Sequence, residues 1–160
     1  MSRLNILHEL VELLSKQQWM LASAESCTGG GVAKALTDLP GSSAWFGYGL
    51  VTYSNQAKQQ LLGVREESLQ AYGAVSEEVV KEMVSGACHL SRADFAVATS
   101  GVAGPAGGSL EKPVGLVWLA WGNSQEQLAL PCHFTGDRRQ IREASIDCLL
   151  QQLLDYLEKK

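Results

Sequence analysis

An apolar run at positions 19–24 stops abruptly at Glu25-Ser26-Cys27-Thr28-Gly29-Gly30-Gly31. Apolar residues then return at helical spacing as Val32, Ala33, Leu36 and Leu39. So short an apolar run, bounded by hydroxyl residues and glycines, reads as a buried strand. The spacing after it predicts a helix over 29–39, stopped by Pro40-Gly41. A buried strand that feeds a helix through a glycine turn requires a sheet with a helical layer packed on it. The same turn sets two nucleophiles, Ser26 and Cys27, beside the backbone N–H groups of a helix start. Those donors, around Thr28, Gly29 and Gly30, suit an oxyanion or a phosphate. A tight turn around a buried cysteine, with no chemistry at all, accounts for the same residues.

The rest of the chain extends this pattern. Leu4, Leu7, Leu10, Val11 and Leu14 recur every three or four residues, with Glu9, Glu12 and Lys16 mostly between them, and predict an amphipathic first helix. A short helix is expected at 42–46 and a strand at 50–53. Ser54 or Asn55 then caps a helix carrying Ala57, Leu61 and Leu62, which Gly63 ends. A short helical piece follows at 66–72. Ser76, with Glu77 and Glu78 behind it, opens a helix that packs through Val79, Val80, Met83, Val84 and Ala87. Strands are expected at 95–99, 114–121 and 127–134, the last two joined near Gly122-Asn123. A final helix over about 137–157 offers Ile141, Ile146, Leu149, Leu150, Leu153 and Leu154. Helices before, between and after the strands predict one layered α/β domain over residues 1–160, without repeat, linker or low-complexity tail.

Composition narrows the function. The 160 residues are 46% apolar, enough for one sizeable core and too apolar for a disordered chain. Seventeen acidic residues outnumber thirteen basic ones, for a net charge of −4. With no long basic stripe, nucleic acid is not the expected partner. The four cysteines are scattered and form no CxxC pair, so reduced thiols are expected. No apolar run reaches membrane-spanning length and the start lacks a signal-peptide core. The expected compartment is therefore the cytoplasm, with no membrane partner.

A nucleophile at 26 or 27 needs a base. None of the histidines, His8, His89 and His133, falls where a serine–histidine–acid set would need it, and no metal-ligand spacing occurs. A metal-free mechanism that uses a lysine fits better, because burial lowers an amine into a useful range. Lys58 is the candidate, on the helix after Tyr53-Ser54-Asn55; an ordinary exposed lysine is the competing reading. Lys34 lies more than a turn past Ser26 and is the weaker choice. The run from Ser100 through Gly101 and Gly104 to Ser109 leaves the end of a buried strand, where open α/β sheets carry ligands, and its glycines can offer successive N–H groups. It is neither a dinucleotide fingerprint nor a Walker loop. Finally, Arg138 or Arg142 can clamp a phosphate or carboxylate. Together these features favour a small phosphorylated substrate over a macromolecule.

Seven segments then carry a resemblance. They are Ala24-Glu25-Ser26-Cys27-Thr28-Gly29-Gly30, Pro40-Gly41-Ser42-Ser43-Ala44-Trp45-Phe46, Val51-Thr52-Tyr53-Ser54-Asn55-Gln56-Ala57-Lys58, Gly73-Ala74-Val75-Ser76, Ser100-Gly101-Val102-Ala103-Gly104-Pro105, Lys112-Pro113-Val114-Gly115 and Phe134-Thr135-Gly136-Asp137-Arg138. In number, order and spacing they resemble the CinA C-terminal domain family, in particular its stand-alone nicotinamide-nucleotide amidases, over nearly the whole chain. The resemblance implies a three-layer α/β/α sandwich around a mixed sheet. It implies hydrolysis of the carboxamide of nicotinamide mononucleotide to nicotinate mononucleotide and ammonia, in pyridine nucleotide recycling. Ser26 takes the nucleophile's place and Lys58 the general base's. Tyr53 and Ser43 match positions that orient the nucleophile, base or amide. Ser100 matches a hydroxyl at a strand end, and Arg142 comes ahead of Arg138 as the substrate arginine. A homodimer and the absence of any cofactor are implied too. The separate N-terminal domain of longer relatives, with its pyrophosphatase activity, has no counterpart here. A non-catalytic nucleotide-binding module of the same fold is the rival reading.

Overall fold

Five strands carry the site, in the spatial order β2-β1-β3-β4-β5. The computed structural model describes residues 1–160. The strands are β1 (Leu21–Glu25), β2 (Phe46–Val51), β3 (Phe95–Gly101), β4 (Leu116–Gly122) and β5 (Gln127–His133). The helices are α1 (Arg3–Gln17), α2 (Gly31–Leu36), α3 (Asn55–Leu62), α4 (Glu66–Tyr72), α5 (Glu77–Ser91) and α6 (Arg138–Glu158). β1 runs parallel to both β2 and β3, whereas β3, β4 and β5 pair antiparallel. The sheet is therefore mixed.

Alternation along the strands sorts the two helical layers. Phe95 and Val97 of β3, with Val117, Leu119 and Trp121 of β4, face the core built by α1, α2 and α6. Ala96 and Ala98 of β3, Ala22 and Ala24 of β1 and Ala120 of β4 face α5, with Leu62 and Leu69 at its flank. An alanine face leaves α5 room to lie close on the sheet through Val79, Val80, Met83 and Val84, all fully buried. Ser76 caps α5, its hydroxyl accepting from the Val79 N–H, with Glu77 and Glu78 in the first turn. Asp137 and Gln140 close a reciprocal capping box at the start of α6.

Three expected elements change, and the ends of β3, β4 and β5 shift by one or two residues. The helix expected over 29–39 is only α2, because Gly29 and Gly30 take positive φ, 59° and 98°, and belong to the turn. The strand expected at 50–53 runs instead from Phe46 to Val51, and the residues before it form a single 3-10 turn, Ser42–Ala44. Gly49 of β2 is where α2 crosses closely: a Cβ there meets the Ala33 methyl at 2.8 Å. No helix is long and apolar enough to cross a membrane.

Candidate functional site

Ser26 follows the last residue of β1, at the edge where β1 and β3 both end. Its N–H donates to the Thr99 carbonyl at 3.0 Å. The turn beyond it is fixed from beneath by Glu25, which is buried with 1% of its surface exposed. Glu25 Oε1 accepts from the Thr28 hydroxyl at 2.6 Å and the Val32 N–H at 2.8 Å, and Oε2 accepts from the Ala33 N–H at 3.0 Å. Thr28 Oγ1 also lies 2.7 Å from Thr99 Oγ1. A buried carboxylate is costly unless its oxygens are satisfied, and here the open end of α2 satisfies them. Those helix donors are consequently unavailable to a ligand. The backbone N–H groups of Cys27 and Thr28 remain without a backbone acceptor beside Ser26.

Lys58 arrives from α3. Ser54 caps that helix by accepting from the Ala57 N–H at 3.0 Å, and Lys58 sits one turn in. Its side chain runs inward, 1% exposed, and Nζ lies 3.0 Å from Ser26 Oγ. Nζ also donates to the carbonyls of Thr52 at 2.8 Å and Tyr53 at 3.3 Å. Burial lowers this amine from 10.5 to about 8. A neutral amine has two hydrogens and one lone pair. The two carbonyls take the hydrogens, so the lone pair is left facing Ser26 Oγ. Lys34, by contrast, is a surface side chain paired with Asp38 at 3.3 Å. Cys27 is buried, and its thiol is pushed up to about 11 by that burial, which leaves it a poor nucleophile.

Ser26, Lys58 and Cys27 line one cavity of about 360 Å³. Ser100, Gly101 and Gly104 form its second wall, as the sequence pattern predicts for the loop after β3. Arg138 closes the mouth. Its guanidinium donates to the Gly104 carbonyl at 2.7 Å and to the Tyr53 hydroxyl at 3.0 Å. Tyr53 thus meets Lys58 through its carbonyl and Arg138 through its phenol.

The structure places five other candidates outside this cavity: Arg142, Thr28, Gly29, Gly30 and Ser43. Arg142 lies across the turn, in a neighbouring cavity of about 530 Å³ lined also by Thr28, Gly29 and Gly30. It donates to the Thr28 carbonyl at 3.2 Å. Arg138 therefore shares the cavity of Ser26, whereas Arg142 lines the neighbouring cavity and contacts the turn. The hydroxyl of Thr28 is already committed to Glu25. Ser43 stands apart, exposed in the turn before β2. The register pairs Leu21 with Phe46 and Glu25 with Val51, so that turn lies at the opposite end of β1 from Ser26. None of the histidines lines the Ser26 cavity. No group of three histidine, cysteine or acidic side chains gathers to hold a metal.

Glu25, Thr99 and the Thr52 carbonyl escape the sequence reading. The signal for Glu25 was a lone charge ending an apolar strand run, three residues before a threonine. The carbonyl of Thr52 leaves no signature in a sequence.

Comparison with known proteins gives the family of the chain. The CinA C-terminal domain model matches residues 4–157, and the chain belongs to that family. It is 51% identical over 158 residues to a protein of Enterobacter agglomerans named nicotinamide-nucleotide amidohydrolase PncC, covering 95% of this chain and 96% of that one. It is 55% identical over 134 residues to the protein of that name from Escherichia coli K12, covering 83% and 81% of the two chains. Among solved structures, a CinA superfamily protein from Klebsiella pneumoniae 700603 superposes with a TM-score of 0.95 at 36% identity, with both chains fully covered. The competence/damage inducible protein CihA from Agrobacterium tumefaciens gives 0.92 at 42% identity, covering 96% of this chain and 94% of that one.

Proposed function

We propose that this chain hydrolyses the carboxamide of nicotinamide mononucleotide, giving nicotinate mononucleotide and ammonia, with Ser26 as nucleophile and Lys58 as general base. The observation that carries the proposal is the buried 3.0 Å contact between Lys58 Nζ and Ser26 Oγ, at the floor of a cavity whose mouth holds an arginine. The names of the two amidohydrolase relatives supply the substrate.

The neutral amine of Lys58 takes the Ser26 proton as Oγ attacks the amide carbon. The oxyanion forms beside the Cys27 and Thr28 N–H groups, which no backbone acceptor occupies. Lys58 then returns the proton to the departing nitrogen and ammonia leaves, with the acyl group on Ser26. Water enters, gives its proton to Lys58 and attacks the ester. Cleavage of the ester bond returns the hydroxyl to Ser26 and releases the carboxylate. Because the pyridinium ring already withdraws electrons from the amide, placement and proton transfer are the protein's main tasks. Arg138 and the N–H groups of the loop after β3 hold the nucleotide's phosphate, and Ser100 meets the amide end. Arg142 supports the turn through the Thr28 carbonyl. Ser43 has no role within a single chain.

The same reading takes residues 1–160 as one catalytic domain, active in the cytoplasm as a homodimer in pyridine nucleotide recycling. Its support there is the family resemblance. The reaction as written uses water as its only co-substrate and calls on no metal or cofactor. Incubation of the folded protein with nicotinamide mononucleotide tests the proposal: nicotinate mononucleotide and ammonia are expected in equal amounts. Tight binding of the nucleotide without turnover would instead make the chain a binding module.

A further inference from the structure

Two cysteines outside the site meet across the opposite edge of the fold. Cys132 Sγ of β5 lies 3.9 Å from Cys148 Sγ of α6. Both residues are partly exposed, whereas Cys27 and Cys88 are buried at 6% and 3% exposure. We propose that Cys132 and Cys148 form a thiol–disulfide exchange site, which small-molecule disulfides of the glutathione class oxidise to an intramolecular bridge.

The geometry supports this in three ways. The sulfurs are already in contact and need to close by only about 2 Å to reach bonding distance, a movement within the range of side-chain rotation. Partial exposure of both residues lets an incoming disulfide reach one sulfur while the other waits beside it. And the pair is chemically unequal. Either sulfur can donate in this contact; with Cys132 as the donor, the Cys148 thiol is lowered and Cys132 is raised. Burial pushes the Cys88 thiol up to about 11, as it does Cys27, so neither competes.

The step balances as two exchanges. The Cys148 thiolate attacks one sulfur of the small disulfide, whose S–S bond breaks, and the departing thiolate takes up a proton. Cys132 loses its proton to solvent and attacks Cys148 Sγ in the mixed disulfide. The second small thiolate leaves and is protonated. Two protein thiols and one disulfide become one protein disulfide and two thiols. The consequence reaches toward the site. Arg138 and Arg142 both lie between the two cysteines in sequence. Moreover, Gly101 pairs with Val117 and Val117 with Cys132, so the bridge forms at the sheet end where the cavity opens. Oxidation ties β5 to α6 around the segment that carries both arginines.

The test treats the folded full-length chain with oxidised glutathione, then measures its intact mass and maps its thiols. The wild-type chain is expected to lose two of its four free thiols, carry no glutathione, and yield a Cys132–Cys148 linked peptide. Cys132→Ser is expected to stop at one glutathione on Cys148, since no resolving thiol remains. Cys148→Ser is expected to form no bridge. Stable glutathione adducts on the wild-type chain without a bridge, a bridge through Cys27 or Cys88, or no reaction at all would each overturn the proposal.

Discussion

The dependence of kcat/KM on pH, with nicotinamide mononucleotide as substrate, reads out the state of Lys58. Only the neutral amine can take the Ser26 proton, so the rate tracks the fraction of Lys58 that has lost its own. Burial lowers this group from 10.5 to about 8. The sign is fixed: activity is low below about 8, rises through it and levels above it. At about pH 7 the neutral fraction is about one in eleven, against about one in three thousand for an unshifted lysine, a gain of roughly 300-fold. Between about pH 7 and 9 the rate should climb about tenfold and then flatten. An unshifted base would climb about a hundredfold over that interval and keep rising. Lys58→Arg sharpens the assay, because a guanidinium keeps the charge but does not deprotonate; a loss of about 10²–10⁴-fold is expected. Initial rates of ammonia release, with circular dichroism to confirm folding, supply the data. A profile flat across this range, or an arginine variant that keeps both rate and profile, refutes the assignment of Lys58 as base.

Other residues give independent checks. Ser26→Ala should abolish turnover while Cys27→Ala stays within a few-fold of the parent, measured as nicotinate mononucleotide formed. Glu25→Gln can no longer accept from both the Val32 and Ala33 N–H groups. It should lower stability by about 1–3 kcal/mol, read from the urea midpoint; an unchanged midpoint would mean the carboxylate does not anchor the turn. Arg138→Ala should raise KM more than it lowers kcat, because its guanidinium sits at the mouth rather than at Oγ; a selective loss of kcat would move Arg138 into the chemistry.

The sequence disclosed the layers because strand alternation and helix periodicity are local. Phe95-Ala96-Val97-Ala98 already separates a large-residue face from a small one, and the fold keeps those faces apart. β2 starts ahead of the strand expected there because Gly47, Tyr48 and Gly49 break the apolar pattern. An edge strand lying beneath α2 is selected for thinness at Gly49, and that choice depends on a helix placed by the rest of the fold. Within the site, Ser26 and Lys58 were each visible as residue types, but their 3.0 Å contact joins the end of β1 to α3 through tertiary packing. The division of Arg138 and Arg142 between two cavities is likewise invisible locally. One helical turn of α6 separates them, and the glycine turn after Ser26 runs between their two cavities. Ser43 shows the same dependence: its motif is local, and the register sets it at the far end of β1 from Ser26 within one chain.

The claim at the centre of this account is a covalent bond to Ser26. Stopping the reaction with acid during turnover of nicotinamide mononucleotide, then digesting the protein and weighing the peptide that holds Ser26 and Cys27, tests it directly. The expected result is an acyl ester on Ser26 with the mass of the substrate less ammonia, present in the wild-type and Cys27→Ala chains and absent from Ser26→Ala. An acyl group on Cys27, or nicotinate mononucleotide produced by Ser26→Ala at the parent rate, would contradict it.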